Sequence, residues 1–276
     1  MSDNTKYTLV LGGTGKTGSR IVERLHARGL PVRIGSRSAE PPFDWDNPAT
    51  WAPVLLDVEA VYITFQPDLA VPGAPDAVRA FGEMAATAGV RRMVLLSGRG
   101  EEEAQAAERL LAEVHPGLTV IRSSFFAQNF DEGHFAAEIK AGRLVLPVGE
   151  VAEPFIDIDD IADLAVAALT GDGHAGQVYE VTGPRLLTFA EAIAEIATAA
   201  GRPIEFLQIP ADDYAAGARA QGLPDELVDF LVYLFTTVLD GRNAHVTDDI
   251  ERGLGRAPGD FADYVRKTAA TGVWTV

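Results

Sequence analysis

The chain has no cysteine, which excludes disulfide bonds, thiolate metal sites and a cysteine nucleophile. Basic residues are also scarce: 23 lysines and arginines face 40 aspartates and glutamates in 276 residues, a formal net charge of -17. Nucleic acid and anionic membranes are therefore unfavourable partners, because both need a basic surface. No apolar stretch approaches the roughly 20 residues of a membrane span, and the first run, Thr8–Leu11, is too short for a signal peptide. We expect a cytoplasmic protein.

What the sequence does contain is an alternation of short apolar runs with longer segments of helical periodicity. The early apolar runs are continuous, which is typical of parallel strands covered on both faces. Such alternation predicts an α/β fold, a doubly wound parallel sheet of the Rossmann type. Helical patterns dominate after Pro210, so we expect a sheet domain over residues 1–183 and a small, mainly helical C-terminal cap over residues 184–276. Strands are predicted at Tyr7–Leu11, Val32–Gly35, Ala60–Thr64, Arg92–Leu96, Leu118–Arg122, Arg143–Pro147, Val178–Thr182 and Ile204–Gln208. Helices are predicted at Thr17–Arg28, Ala74–Ala88, Glu101–Val114, Ala127–Ala141, Asp160–Leu169, Phe189–Ala200, Ala211–Ala220, Asp225–Leu239 and Asp260–Thr268.

The first predicted strand runs into a glycine-rich turn and then into an amphipathic helix. Gly12, Gly15 and Gly18 have the GxxGxxG spacing, which lets a pyrophosphate approach the backbone at a helix N-terminus. A nucleoside-triphosphate P-loop would need glycine where this chain has Val10. The alternative to a dinucleotide site is an ordinary glycine turn without a ligand. The loop residues assigned to the cofactor are Gly12, Thr14, Gly15, Lys16, Thr17 and Gly18.

The tip of the second predicted strand indicates which dinucleotide binds. An acidic residue there favours NAD, whereas arginine accommodates the additional phosphate of NADP. This strand ends in Ser36 and Arg37 with no acidic residue, and arginine can grip a phosphate bidentately. The sequence therefore predicts NADP(H), the alternative being that Arg37 is a solvated surface side chain.

A short segment after the second strand, Phe43–Asp46, is predicted to form a brief additional strand beside the adenine. Asp44 could accept a hydrogen bond from the adenine amino group. Trp45 is equally well interpreted as a ligand contact or as a packing residue at the sheet edge.

Several motifs together resemble one protein family. They lie at Gly12–Gly18, Ile34–Ser38, Phe43–Asp46, Arg91–Ser97, Ile121–Phe130, Pro154–Ile161, Tyr179–Gly183 and Leu187–Ala190. With these motifs the chain resembles NmrA-like members of the atypical short-chain dehydrogenase/reductase superfamily over nearly its whole length. Among their branches it is most similar to the iminium reductases of ergot alkaloid biosynthesis and their bacterial relatives, through Gly15–Gly18, Ser36–Ser38 and Ser123–Phe130. Quinone reductases and redox-sensing regulators share the wider family.

The catalytic dyad of the superfamily, Tyr-x-x-x-Lys, is missing. The chain has only four lysines and six tyrosines, and no tyrosine is followed by lysine four residues later. The dyad would let a phenol exchange a proton with a carbonyl oxygen. Without it, hydride acceptors that need little acid catalysis are favoured, such as an iminium ion, or a quinone that takes its proton from water. The alternative is a sensor that binds NADP(H) without turnover.

Cofactor and substrate are expected at the carboxyl ends of the strands. Phe65, Gln66 and Ser97 are assigned to the nicotinamide side, and Ser97 is also a catalytic candidate together with Tyr233 and His134. The residues assigned to substrate are Phe125, Phe126, Asn129, Phe230 and Tyr233. Phe126 and Phe130, four residues apart, could instead be a helix packing pair.

Two further features have alternative interpretations. Asp157, Asp159 and Asp160 look like a metal cluster, but we expect Asp159 or Asp160 to cap a helix starting at Ile161, and we expect no metal. The segment Asp225–Leu239 is apolar nearly all round, which is typical of a pocket lid or of a homodimer interface.

Overall fold

The computed structural model describes residues 6–275, without the side chain of His134. Its strands are β1 (Tyr7–Leu11), β2 (Val32–Gly35), β3 (Val58–Ile63), β4 (Arg92–Gly98), β5 (Thr119–Ser123), β6 (Arg143–Leu146), β7 (Ala152–Glu153), β8 (Val178–Val181), β9 (Leu187–Thr188) and β10 (Glu205–Gln208). Its helices are α1 (Lys16–Ala27), α2 (Trp51–Val54), α3 (Ala74–Thr87), α4 (Glu102–Val114), α5 (His134–Lys140), α6 (Ile158–Thr170), α7 (Phe189–Ala200), α8 (Ala211–Ala220), α9 (Asp225–Tyr233), α10 (Asp249–Leu254) and α11 (Phe261–Ala269). Within residues 6–275, no helix has the length and apolar character to cross a membrane.

The chain forms two compact units, of which the first comprises residues 6–123, 158–181 and 249–256 of the described chain. Its six-stranded sheet has the order β2-β1-β3-β4-β5-β8, and every pair is parallel. Leu9, Val10 and Leu11 are all fully buried, because α3 and α4 cover one face of the sheet and α1 and α6 cover the other. This confirms the doubly wound Rossmann fold. The strand order reverses between β1 and β3, which places the ligand-binding crevice at the carboxyl ends of these strands.

The second unit comprises residues 124–157, 182–248 and 257–275 of the described chain. It contains a parallel pair of β6 and β10 and an antiparallel pair of β7 and β9. Its core is built from phenylalanine rings in edge contacts, with Phe130 and Phe155 5.3 Å apart and Phe155 and Phe189 5.2 Å apart. Trp274 is fully buried there, and its indole N–H donates to the carbonyl of Phe130.

These units are discontinuous, whereas the sequence suggested one division near residue 183. Residues 124–157 belong with the later part of the chain, and residues 249–256, which include α10, belong with the sheet. The C-terminal part is mainly helical as expected. The composition of the chain does not reveal where a segment leaves one unit and later returns to it. The domain boundary at residue 183 stays a prediction.

Three local predictions are wrong. Phe43–Asp46 forms no strand, because the indole N–H of Trp51 and the backbone N–H of Asn47 both bond the carbonyl of Asp44 and fold this segment into turns. The predicted helix Ala127–Ala141 is a 3₁₀ turn followed by α5, interrupted at Gly133, which has a φ of 127°. Helix α6 starts at Ile158, so Asp159 and Asp160 lie in its first turn instead of capping it.

The long apolar helix also differs from its prediction. Helix α9 ends at Tyr233 and continues as a π-helical turn over Leu234–Val238. Val228 is buried, whereas Phe230 and Tyr233 are half-buried. The roles of lid and of dimer interface both stay predictions.

Candidate cofactor-binding site

The glycine turn between β1 and α1 is closed by its own backbone. The N–H of Gly15 donates to the carbonyl of Gly12 over 2.8 Å, and Gly12 has a φ of 63°, which favours glycine. A Cβ on Gly18 would lie 2.2 Å from the carbonyl oxygen of Gly12. The start of α1 therefore lies so close to the turn that only glycine fits, as a pyrophosphate cradle requires.

The N-terminus of α1 is open to an anion. Its N-cap residue, Gly15, has no side chain to bond the first N–H groups, and the first turn of the helix contains no acidic residue. Thr17 is buried, and its hydroxyl accepts a 3.0 Å hydrogen bond from the hydroxyl of Tyr62, whose pKa burial raises. Thr14 is exposed and Lys16 is half-buried. The buried Thr17 thus holds the inner side of the loop in place. The outer surface of the loop and the positive end of the helix dipole stay accessible.

The tip of β2 presents Arg37 to solvent. Its side chain is exposed, and no residue between 6 and 275 bonds or ion-pairs with its guanidinium. Ser36 lies beside it with its hydroxyl 3.3 Å from that of Ser38. A cation without a protein partner, next to two hydroxyl groups, fits a phosphate group bound at this edge of the sheet.

Trp45 and Asp44 both take part in local structure. The indole N–H of Trp45 donates to the carbonyl of Thr64 over 3.1 Å, and its ring lies 4.8 Å from that of Phe65. A carboxylate oxygen of Asp44 accepts from the N–H of Asp46 over 3.2 Å. Trp45 packs against the core of the sheet unit, while the contacts of Trp45 and Asp44 with adenine stay predictions.

Ser97, the last but one residue of β4, belongs to a buried ionic network. Its hydroxyl donates to Glu108 over 2.6 Å, and the guanidinium of Arg122 binds the same carboxylate in a bidentate pair at 2.6 and 2.9 Å. Arg122 also donates to Glu180 over 3.0 Å. Because the Ser97 proton is bonded to Glu108, this hydroxyl can only accept from a ligand. On the neighbouring loop Phe65 is half-buried and Gln66 is exposed.

A pair of carboxyl groups at the same edge of the sheet was missed in the sequence. Asp68 follows β3, Glu101 follows β4, and their carboxyl groups interact directly with one another. Burial and the facing carboxylate raise the pKa of Glu101 to about 9, and burial raises that of Asp68. The only sequence signal was that each residue follows an apolar strand.

The residues assigned to substrate all lie in the second unit. Phe125 is half-buried, with its ring stacked on Phe135 at 6.2 Å and edge-on to Phe189 at 5.3 Å. Phe126 and Asn129 are half-buried too. Phe130 is a core residue as expected, but it does not form the suggested pair with Phe126, because the ring of Phe126 contacts no other ring between residues 6 and 275. The side chain of His134 lies outside the described residues.

No family model matches the chain. It is 34% identical to the uncharacterized oxidoreductase YesF of Bacillus subtilis, covering 97% of both chains. It is 31% identical to the NAD(P)H azoreductase of Xenophilus azovorans, covering 95% of this chain and 98% of the relative. It is also 31% identical to the agroclavine dehydrogenase of Claviceps fusiformis, covering 93% and 95% of the two chains.

The fold matches the crystal structure of Citrobacter sp. triphenylmethane reductase complexed with NADP(H). The TM-score is 0.76 at 16% sequence identity, over 95% of this chain and 99% of the reductase. With the curated relatives at 31–34% identity over almost their full length, the chain belongs to the atypical, NmrA-like short-chain dehydrogenase/reductase family and is an NAD(P)-dependent oxidoreductase.

Proposed function

We propose that the protein is an NADPH-dependent reductase that transfers hydride to a small, flat electrophile of the iminium or quinone type. One observation carries the proposal: a glycine turn too close for any side chain leads into a helix without a side-chain cap, and Arg37, at the tip of the next strand, bonds no residue between 6 and 275. These features fit a pyrophosphate and an additional phosphate on the adenosine ribose. The cofactor is NADP(H).

The preference for NADPH depends on Arg37 and is tested by replacing it. Arg37→Ala removes charged hydrogen bonds worth about 1.5–3 kcal/mol, so the affinity for NADPH falls roughly tenfold to hundredfold. The affinity for NADH stays nearly unchanged, because NADH lacks the phosphate. Arg91→Ala is the matched control, since Arg91 is an exposed arginine of the same unit that forms a surface ion pair with Glu59. Equal losses for both cofactors in calorimetric titrations would refute the assignment.

The choice of substrate class follows from the missing Tyr-x-x-x-Lys dyad. Bound NADPH supplies the hydride. The protein has no phenol and lysine in the usual register to polarise a carbonyl oxygen, so its contribution is to orient the reactants and exclude water. An electrophile that accepts hydride readily suits such a site. The relative from Xenophilus azovorans is named for the reduction of azo compounds with NAD(P)H, which supports a readily reduced acceptor here.

We assign substrate binding to aromatic and polar side chains of the second unit. These are Phe125, Phe126, Asn129, Phe230 and Tyr233, all of which are half-buried. The four aromatic side chains can offer ring faces to a flat ligand, and Asn129 can offer a polar contact. The predicted division into a cofactor domain over residues 1–183 and a substrate cap over residues 184–276 is retained as part of this proposal, with residues 124–130 contributing to the substrate side.

The missing dyad also favours a second candidate, a sensor that binds NADP(H) and turns nothing over. A panel of iminium, quinone and azo acceptors, each incubated with protein and NADPH, separates the two functions. We expect NADPH to be oxidised with at least one class. Tight binding of NADPH without oxidation across the panel would establish the sensor instead.

A further inference from the structure

The carboxyl pair of Asp68 and Glu101 lies where two neighbouring strands end. Strands β3 and β4 are adjacent and parallel, so the residues that follow them meet at one edge of the sheet. Asp68 is fixed in place because one carboxylate oxygen accepts from the N–H of Ala70 over 2.8 Å. Glu101 lies over Gly98, where a Cβ would be 2.1 Å from a carboxylate oxygen. A side chain at position 98 would therefore push this carboxyl group out of its place.

The pair favours holding a proton because Glu101 is buried and no cation among residues 6–275 acts on its carboxyl group. Glu101 is 8% exposed. Its Oε2 atom is buried without a hydrogen-bond partner among residues 6–275. The charged groups that face it are carboxylates, those of Asp68 and Glu103. Two ionised carboxylates facing each other have no donor to share and repel one another, so a proton on one of them turns the contact into a hydrogen bond.

The position of the pair relates it to the reaction. The strand order reverses between β1 and β3, and the dinucleotide lies across this point, with one half over each side of the sheet. Arg37 stands at the end of β2 and marks the side of the adenosine phosphate. Strands β3 and β4 belong to the other side, which is that of the nicotinamide and hence of hydride transfer.

We propose that the Asp68–Glu101 pair is the proton donor of this reductase, supplying the proton that accompanies hydride transfer to quinone or azo acceptors. The inference rests on the proposed function. Hydride transfer would break the C4–H bond of NADPH, oxidise it to NADP⁺ and form one bond to the acceptor, which is left with a negative charge. The O–H bond of the pair then breaks and its proton neutralises that charge, so that two electrons and two hydrogens have reached the acceptor. The pair is left with two carboxylates and regains its proton from solvent before the next turnover.

The proposal separates two classes of acceptor. A quinone or an azo compound needs a proton in addition to hydride, whereas an iminium ion becomes a neutral amine through hydride alone. Removal of the proton donor therefore slows the first class and leaves the second class unchanged. A purely structural role of the pair would affect both classes together.

The experiment compares the wild type with Glu101→Gln and Asp68→Asn. Glu102→Gln is the matched control, since Glu102 is the adjacent, exposed glutamate in the first turn of α4. We expect kcat with a quinone to fall by roughly a hundredfold in Glu101→Gln and kcat with an iminium acceptor to stay within about twofold. Equal losses with both acceptors, or no loss with either, would overturn the proposal.

A second readout does not depend on activity. Infrared spectra of the protein without cofactor at neutral pH should contain the C=O stretching band of a protonated carboxyl group. This band is expected to disappear in Glu101→Gln and to remain in Glu102→Gln. Its absence from the wild type would overturn the proposal. If the band is present and the wild type reduces no acceptor, the proposed function fails and the proton-donor role fails with it, but the proton in the pair is established.

Discussion

Substitution of Gly18 by alanine tests the cofactor loop at its tightest point. The new Cβ would lie 2.2 Å from the carbonyl oxygen of Gly12 and 2.8 Å from the Cα of Gly13. Ordinary contact begins at 3.4 Å, so the start of α1 or the glycine turn has to move by about 1 Å. Both sides of this contact are backbone, and neither can rotate away. Overpacking of this kind costs about 1–3 kcal/mol.

The displaced loop has to return to its original geometry when it binds a pyrophosphate. We therefore expect Gly18→Ala to lower the affinity for NADPH roughly fivefold to hundredfold, by the same free energy. Gly217→Ala is the matched control: Gly217 also lies within a helix, α8, but a Cβ there has no neighbour within 4 Å. This change should leave binding unchanged and raise stability by up to about 1 kcal/mol.

Calorimetric titration with NADPH and thermal unfolding of both variants provide the measurements. The reasoning would be refuted if Gly18→Ala bound NADPH as tightly as the wild type while remaining folded. It would also be refuted if both glycine substitutions weakened binding equally, because the contact with Gly12 would then not be the cause.

Two further predictions concern buried carboxyl groups. Between the ordinary pKa of glutamate and the raised pKa of Glu101, the folded state holds a proton that the unfolded state has lost. The free energy of unfolding of the wild type therefore falls as the pH rises, by at most about 1.4 kcal/mol per pH unit. In urea unfolding, the free energy of unfolding of Glu101→Gln should therefore rise relative to that of the wild type between about pH 6 and about pH 8. A difference that stays constant with pH would contradict the raised pKa. Glu108→Ala leaves Arg122 and Ser97 without their buried partner and should lower the free energy of unfolding by about 3 kcal/mol. The control Glu83→Ala breaks an exposed ion pair and should lower the free energy of unfolding by less than about 1 kcal/mol. Equal losses for the two variants in urea unfolding would show that the buried network adds no stability.

The sheet could be predicted closely because its signals are local. β1 and β2 have the predicted bounds, Tyr7–Leu11 and Val32–Gly35, since each is a short run of strand-forming residues ended by glycine. Helix α7 also has its predicted bounds, because Thr188 and Glu191 form a capping box and Gly201 ends the helix in the left-handed conformation.

Errors arose where side-chain or tertiary contacts, and not the local pattern, decide the structure. The turns at Phe43–Asp46 depend on the indole N–H of Trp51 bonding the carbonyl of Asp44, and composition does not reveal such a bond. Helix α10 was missed because its six residues are too few for a clear periodicity. Its membership in the sheet unit depends on contacts with β8 and α6 far away in sequence.

The candidate site shows the same division between local and distant signals. The glycine loop and Arg37 were predicted because a strand, a turn and a helix N-terminus follow one another in the chain. The Asp68–Glu101 pair was not predicted, because aspartate and glutamate in loops are ordinarily solvated. Only the parallel pairing of β3 and β4 brings these two carboxyl groups together, and this pairing leaves no signal in the sequence around either residue.

Hydride transfer itself is the most direct test of the proposed function. The protein is mixed with an iminium acceptor and with NADPH deuterated at C4 of the nicotinamide on the face that is transferred, both faces being tried, and the product is examined by mass spectrometry after a single turnover. We predict one deuterium in a carbon–hydrogen bond of the amine product, with one NADPH consumed per product. Saturating binding of NADPH with neither oxidation of the cofactor nor deuterium in the acceptor would contradict the reductase and favour the sensor.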